Sequence, residues 1–318
     1  MAYGLSTIRI AGVEQAALVR DGRFVPLSHW GERRSLIALL QDWDAILPAL
    51  EGWAADAAAF ATAGELDEAD TVLPYRPGQV FCTGANYKKH VVGLIMGDPS
   101  MRTAEHENMS PEDMRRAVEE RMEQRAGALP FCFIKLPSCA VGPNDAVILP
   151  GNVEKPDWEL ELGVVIGRRA HRVSAAEAMD YVAGYAVVND VTAREHIFRR
   201  DGSAIGADWL SGKCFPTFLP FGPMIVPRSQ VADPYDLTIT LAVNGKVYQN
   251  ESTSDMMASI ERQIEFLSNR VVLEPGDVIC TGSPYGNGSA FGVFLKSGDE
   301  MIGSITHLGT QRNRCVAE

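Results

Sequence analysis

The sequence predicts an α+β chain dominated by β structure, with a small N-terminal domain ahead of a larger β-rich body. Three observations lead there. The chain has 318 residues, room for two domains at roughly 150 residues each. Apolar residues make up 46% of it and charged residues 22%, the balance of an ordinary globular protein rather than a disordered or fibrous one. From about residue 130 onward, short apolar runs follow one another between glycines and prolines: ELELGVVIG, VAGYAVVND, FGPMIV, LTITLAVNGKVY, GDVICTG and DEMIGSIT. Too few helical stretches lie between them for a parallel βαβ series, so packed or rolled sheets are expected.

Taken in order, TIRIAG and AALVRDGRFVPL read as strands, with Asp21-Gly22 as a hairpin turn. SLIALLQDWDAILPAL then carries apolar residues at helical spacing. These segments make an N-terminal α+β domain over 1–75, followed by the β-rich domain over 76–318. The second domain opens with RPGQVFCTGANY, a turn, a strand and a glycine bend. Residues 93–127 differ in character and read as an insertion. Within it Ser110 fits a helix N-cap, Pro111 the first helical position, and Glu112 and Asp113 the first turn. Met114, Ala117, Val118 and Met122 form one apolar stripe. So long an insertion is either a lid or a solvated surface helix, and spacing leaves both open.

Lysine and arginine number 29 against 41 aspartates and glutamates, a net charge of −12. That argues against a nucleic-acid partner and against an anionic membrane surface. The first twenty residues lack the pattern of a secretory signal, and no apolar run approaches the length of a membrane span. Six cysteines without CxxC spacing read as buried, reduced thiols in a cytoplasmic protein.

Nucleotide-binding and hydrolase-elbow motifs are missing, as is HExxH. The strongest constellation is acidic. In DWELELGVVIG, Glu159 and Glu161 stand at i and i+2, so on a strand both carboxylates share one face. Asp190 ends the next core-like strand. Two glutamates and an aspartate at a core strand need compensation. They form a hard oxygen set suited to Mg²⁺ or Mn²⁺; the plainer alternative is a rim of solvated acids. Arg194 follows Asp190 by four residues, sharing its face if a helix begins at VTAREH. Lys213 in WLSGKCF and Lys135 in FCFIKLP sit in apolar text. They fit either charge compensation or stems packed on the core with their ammoniums in water. His90, in GANYKKH, is the best placed of the histidines for general-base work, with His196 second.

With these residues collected, the chain resembles the fumarylacetoacetate hydrolase superfamily. The matching text runs from FCTGANYKKH through FCFIK, DWELELGVVIG, AGYAVVNDVTARE, WLSGKCF, FGPMIV and VNGKVYQNESTSDMM to LEPGDVICTGSPYGNG. The resemblance implies a β-roll catalytic domain, usually dimeric, with Mg²⁺ or Mn²⁺ held by Glu159, Glu161 and Asp190. It also implies substrate contacts from Lys213, Arg194, Lys135 and the TGxP threonine Thr281, and a lid histidine, His90, that helps activate water. Two positions depart from the superfamily pattern. The glutamate often found three residues after the lid histidine is here Gly93, with Glu105 or Glu107 in the insertion as substitutes. The TGxP loop, TGSPYGNGSAFGVFLKSGD, is also longer than usual. The first expectation is therefore a metal-dependent hydrolase cleaving a C–C bond in an acylpyruvate-like or 1,3-dioxo acid. The second is a decarboxylase, hydratase, dehydratase or isomerase of a 2-oxo acid on the same metal site. A non-catalytic scaffold would have no use for three acids beside buried lysines.

Overall fold

The computed structural model of the protein describes residues 2–66, 70–97, 102–106, 108–125, 127–198 and 206–318. The chain begins with a meander of β1 (Gly4–Ile10), β2 (Val13–Arg20) and β3 (Arg23–Pro26), completed by β4 (Gly64–Glu65). The two hairpin turns have positive φ at both central residues, 48° and 80° at Ala11-Gly12 and 53° and 72° at Asp21-Gly22. That suits the twist of paired strands. Only the second turn carried a visible signal, because alanine seldom adopts this backbone. The expected helix after the meander is divided in two, α1 (Leu36–Leu40) and α2 (Trp43–Ala54), with α3 (Ala57–Ala61) beyond. The break falls at Asp42, whose φ of −123° is not helical. Leu36, Leu39, Leu40, Trp43, Ile46 and Leu50 all face inward regardless.

The second part of the chain starts with β5 (Val80–Gly84), α4 (Lys88–Gly97), α5 (Pro111–Arg125) and β6 (Phe131–Lys135). β7 (Ala140–Val141), β8 (Val147–Leu149), β9 (Pro156–Asp157), β10 (Leu160–Ile166), β11 (Val182–Asn189) and β12 (Thr192–Ala193) follow. Then come α6 (Arg194–Ile197), α7 (Trp209–Lys213), β13 (Leu219–Pro220), β14 (Val226–Pro227), β15 (Thr238–Val243) and β16 (Lys246–Ser252). The chain ends with α8 (Ile260–Ser268), β17 (Val278–Cys280), β18 (Glu300–Ile305) and β19 (Gly309–Ala317).

Two sheets organise these strands. One has the order β14-β11-β10-β17-β5-β6, the other β16-β15-β18-β19-β8. Leu160, Leu162, Val164 and Ile166 of β10 meet Ile239, Leu241 and Ile305 of the second sheet in one core. The opposite face of the first sheet, through Val165, Ala183, Ala186, Val188 and Val278, packs against Leu5, Leu18, Leu39, Trp43 and Leu50 in another. Every residue of β10 and β11 is buried. Cover on both faces is what the unbroken apolar run VVI requires. An α+β architecture led by sheets is thus realised. Among the described residues no helix is long and apolar enough to cross a membrane.

The insertion does not lie free on the surface. Ser110 caps α5, its Oγ accepting the Asp113 N–H at 3.1 Å. Val118 and Met122 of the apolar stripe pack on Val91 and Val92 of α4, forming a small separate core. Ala117 of that stripe is only half-buried.

Candidate active site

The site lies where β10 and β11 end and the chain turns. Antiparallel pairing sets Leu160 opposite Asn189. Beyond the ladder, Asp190 N–H donates to Glu159 O at 2.8 Å and Asn189 Oδ1 accepts Glu159 N–H at 2.9 Å. These bonds fix the backbones that carry two of the acids. Strand alternation brings Glu161 to the same face as Glu159. Ligand oxygens of Glu159, Glu161 and Asp190 lie within 4.8 Å of one another, and all three residues are buried. The solvated-rim alternative is therefore excluded by burial.

Basic side chains surround this cluster. Lys213, at the end of α7, donates to Glu159 Oε2 at 2.7 Å and to Asp190 Oδ2 at 2.5 Å. Lys135, at the end of β6, donates to Asp190 Oδ1 at 2.5 Å and to Val191 O at 2.9 Å. The lysines are 2% and 1% exposed, so they are buried whole and do not reach water with their tips. Arg194 begins α6, but its partners are not Asp190. Its Nε donates to Asp157 Oδ2 at 2.8 Å and its Nη2 lies 2.5 Å from Glu159 Oε1. Thr281 is buried, and its hydroxyl donates to Leu162 O at 2.9 Å, inside the sheet.

Glu161 differs from its neighbours. Its Oε2 accepts the Gly282 N–H at 2.8 Å. Glycine is required there, since φ is +103° and a Cβ would stand 2.8 Å from Thr83 O. Burial, reinforced by the charges of Asp190, Cys280 and Glu159, drives its carboxyl well above the ordinary range. Burial acts the same way on Glu159, but the charges of Arg194 and Lys213 outweigh it and hold that carboxyl well below its usual value. Four carboxylates, counting Asp157, thus face three cationic side chains, and the shortfall falls on Glu161. A divalent cation fits this donor set: hard oxygens, close spacing and one unbalanced negative charge.

His90 is buried on α4. Burial is the main cause that lowers its imidazole to about 4, with Glu159 opposing and Arg194 assisting. It is therefore neutral at neutral pH and stands in the field of the cluster. The helix start is held by Asn86, whose amide donates to Thr281 O at 2.8 Å and accepts the Ala258 N–H at 2.7 Å. Glu105 does not approach as a partner for His90. It is exposed, with its carboxylate 3.6 Å from Arg121 of α5. Glu107 lies outside the described residues. His196 is half-buried, its Nε2 3.1 Å from Asn152 O, and takes no place in the cluster.

The long TGxP loop and the missing glutamate turn out to be one feature. A Cβ on Gly93 would stand 2.4 Å from the Tyr285 ring, and one on Gly97 would stand 2.9 Å from Ala290 O. The extended loop fills the side-chain space along this face of α4.

Asp157 was missed by sequence reasoning. It is fully buried, and besides Arg194 it accepts N–H groups from Trp158, Gly288 and Ser289. The alternation that singled out Glu159 and Glu161 extends one step back to Asp157, so the signal was there. Gln249 was missed as well. It is buried, accepts the Leu160 N–H at 3.1 Å and donates to Ser283 Oγ at 3.1 Å; it lies within VNGKVYQNESTSDMM, but nothing singled out the glutamine in that motif.

The chain is similar to known proteins in sequence and in fold. The chain is 44% identical over 189 residues to human mitochondrial oxaloacetate tautomerase FAHD2B, a match covering 59% of each chain. It thus spans about three fifths of that relative's length. Among solved structures, the fumarylacetoacetate hydrolase of Exiguobacterium antarcticum superposes over the whole of both chains with a TM-score of 0.76 and 26% identity. A probable 2-hydroxyhepta-2,4-diene-1,7-dioate isomerase from Mycobacterium abscessus gives 0.74 and 26%, covering 100% of this chain and 99% of that one. The profile of the fumarylacetoacetate (FAA) hydrolase C-terminal family matches residues 79–316, and the chain belongs to that enzyme family.

Proposed function

We propose that this protein interconverts the enol and keto forms of a 2-oxo dicarboxylic acid of the oxaloacetate type, with a divalent cation at Glu159, Glu161 and Asp190. The observation that carries the reading is the cluster of three buried acids with one more carboxyl group around it than cationic side chains, an excess that a divalent cation would offset. A cation there reverses the sign of the cluster, and the site then favours an anionic oxo acid. Such a cation would act as a Lewis acid that lowers the energy of the enolate. The chain's own groups do the rest. Lys213 and Lys135 hold Asp190 and Glu159 in place through charge-assisted bonds. His90, kept neutral by burial, is free to accept a proton from the enol oxygen and to return one to the adjacent carbon. Isomerisation moves protons only and needs no activated water.

The hydrolysis expected from the sequence stands second. His90 beside the acids favours it. Against it, position 93 is a glycine packed against the Tyr285 ring, so the carboxylate that would orient His90 toward water is missing from that turn. The resemblance to FAHD2B supports the first reading. The test follows the ultraviolet decay of enol-oxaloacetate with Mn²⁺, with Mg²⁺ and with chelator, beside a panel of acylpyruvates. Metal-dependent acceleration lost in Glu161→Gln is expected. Cleavage of acylpyruvates with no acceleration of the enol decay would transfer the assignment to hydrolysis.

A further inference from the structure

We infer that Asp157 is a positioning residue with two tasks: it seats the 286–293 segment on the carboxylate cluster, and through Arg194 it sets how much negative charge Glu159 keeps for a cation. The inference rests on reading the three acids as a cation site. Three of its four hydrogen bonds reach distant parts of the chain, and the fourth is to the N–H of the next residue. Oδ1 accepts from Trp158 N at 2.9 Å and Gly288 N at 2.7 Å. Oδ2 accepts from Ser289 N at 3.1 Å and Arg194 Nε at 2.8 Å. The Arg194 guanidinium is therefore shared, one edge on Asp157 and the other 2.5 Å from Glu159.

The loop is laid directly on this point. A Cβ at Gly288 would stand 2.8 Å from Asp157 Oδ1 and 2.9 Å from the Trp158 ring. Trp158 Nε1 donates to Gly286 O at 2.9 Å, and Asn287 donates back to Trp158 O at 2.9 Å. The same loop carries Tyr285 and Ala290 against Gly93 and Gly97 of α4, the helix of His90. Asp157, together with Trp158, thus connects the acid strand to the loop that packs on the His90 helix.

An asparagine at 157 could still accept from Trp158 and Gly288, but its amide nitrogen would face two donors, Ser289 N–H and Arg194 Nε. The loop would lose an anchor, and Arg194 would keep only Glu159 of its two carboxylates and compete there with the cation. Manganese uptake by calorimetry and hydrogen exchange over 284–292 test both tasks on the intact chain. In Asp157→Asn, manganese affinity is expected to fall tenfold or more and exchange protection of the loop to be lost. Asp157→Glu, which keeps the charge beside Arg194, should recover most of the affinity. Ser289→Pro, which removes a loop donor and leaves the Asp157 carboxylate beside Arg194, should loosen the loop and change affinity less than threefold.

Unchanged manganese affinity in Asp157→Asn overturns the inference, whatever its melting temperature, because a merely structural buried acid would lower stability and leave affinity alone. If Asp157→Asn does not fold, a fully protected loop in Ser289→Pro overturns it. A wild type that takes up no manganese overturns the cation reading, and loop protection retained in Asp157→Asn then overturns the seating role too.

Discussion

Glu161 and His90 show how one buried cluster treats two titratable groups differently. Glu161 bears the charge no side chain balances. Glu161→Gln should therefore abolish the rise in melting temperature that Mn²⁺ gives the wild type, while raising that of the cation-free protein. Each kcal/mol recovered is worth about 1.5 °C in a chain of this size, and thermal shift with and without Mn²⁺ reads both effects. His90 is kept neutral. Between its ordinary value of 6.5 and its folded value of about 4, the unfolded chain binds a proton that the folded chain does not. Stability is thus fully present above that window and falls as pH drops through it. The whole shift amounts to about 3 kcal/mol. Urea unfolding at pH 7 and pH 4.5 should show His90→Gln losing less stability than wild type by up to that amount. Equal losses would mean that the imidazole is not shielded. The acids were legible because strand alternation is strict; their tight pairing with Lys135 and Lys213 was not, since those partners come from 55 and 23 residues away.

At the scale of elements, the decisive contact is between α4 and the long loop. Gly93→Ala places a methyl group against the Tyr285 ring, so either the ring or α4, with His90 on it, must shift. A loss of turnover of tenfold or more is expected, and Tyr285→Ala in the same chain should restore part of it. Steady-state kinetics on the two single variants and the double would show this coupling, and purely additive losses would rule the contact out as what positions His90. Both halves of the contact were visible in the sequence as departures, a glycine and a lengthened loop. Their meeting was not, because 192 residues of chain separate them and sequence carries no distance. The break between α1 and α2 was missed for a local reason: apolar residues keep helical spacing across Gln41 and Asp42, so periodicity alone could not show where the backbone leaves the helix. The partners of Arg194 were hidden for a different reason. A helix does begin there, but β9 pairs with β12 and brings Asp157 closer to it than Asp190.

For the molecule as a whole, the core on the N-terminal side of the six-stranded sheet mixes residues from both parts of the chain, Leu5 and Trp43 with Val165 and Val188. Leu5 also exchanges backbone hydrogen bonds with Ile225 at 2.8 Å in both directions. Neither part can close its apolar surface alone. Calorimetry should therefore record one unfolding transition, and two separated transitions would show that the shared core contributes little to cohesion. Sequence composition made the β-rich body legible, and the periodicity of residues 35–50 made the helices legible. What composition does not record is that one sheet serves both cores.

That double cover on β10 has a consequence for how the protein can change over time. The strand bearing the acids is walled in on two sides, so its amides should be among the slowest to exchange and its side chains among the least free to vary. The opposite wall of the site rests on a core of four buried side chains between α4 and α5, and it can open or be rebuilt at little expense to the rest. Selection for a different substrate would act there, rewriting the cover and leaving the acid strand as it is.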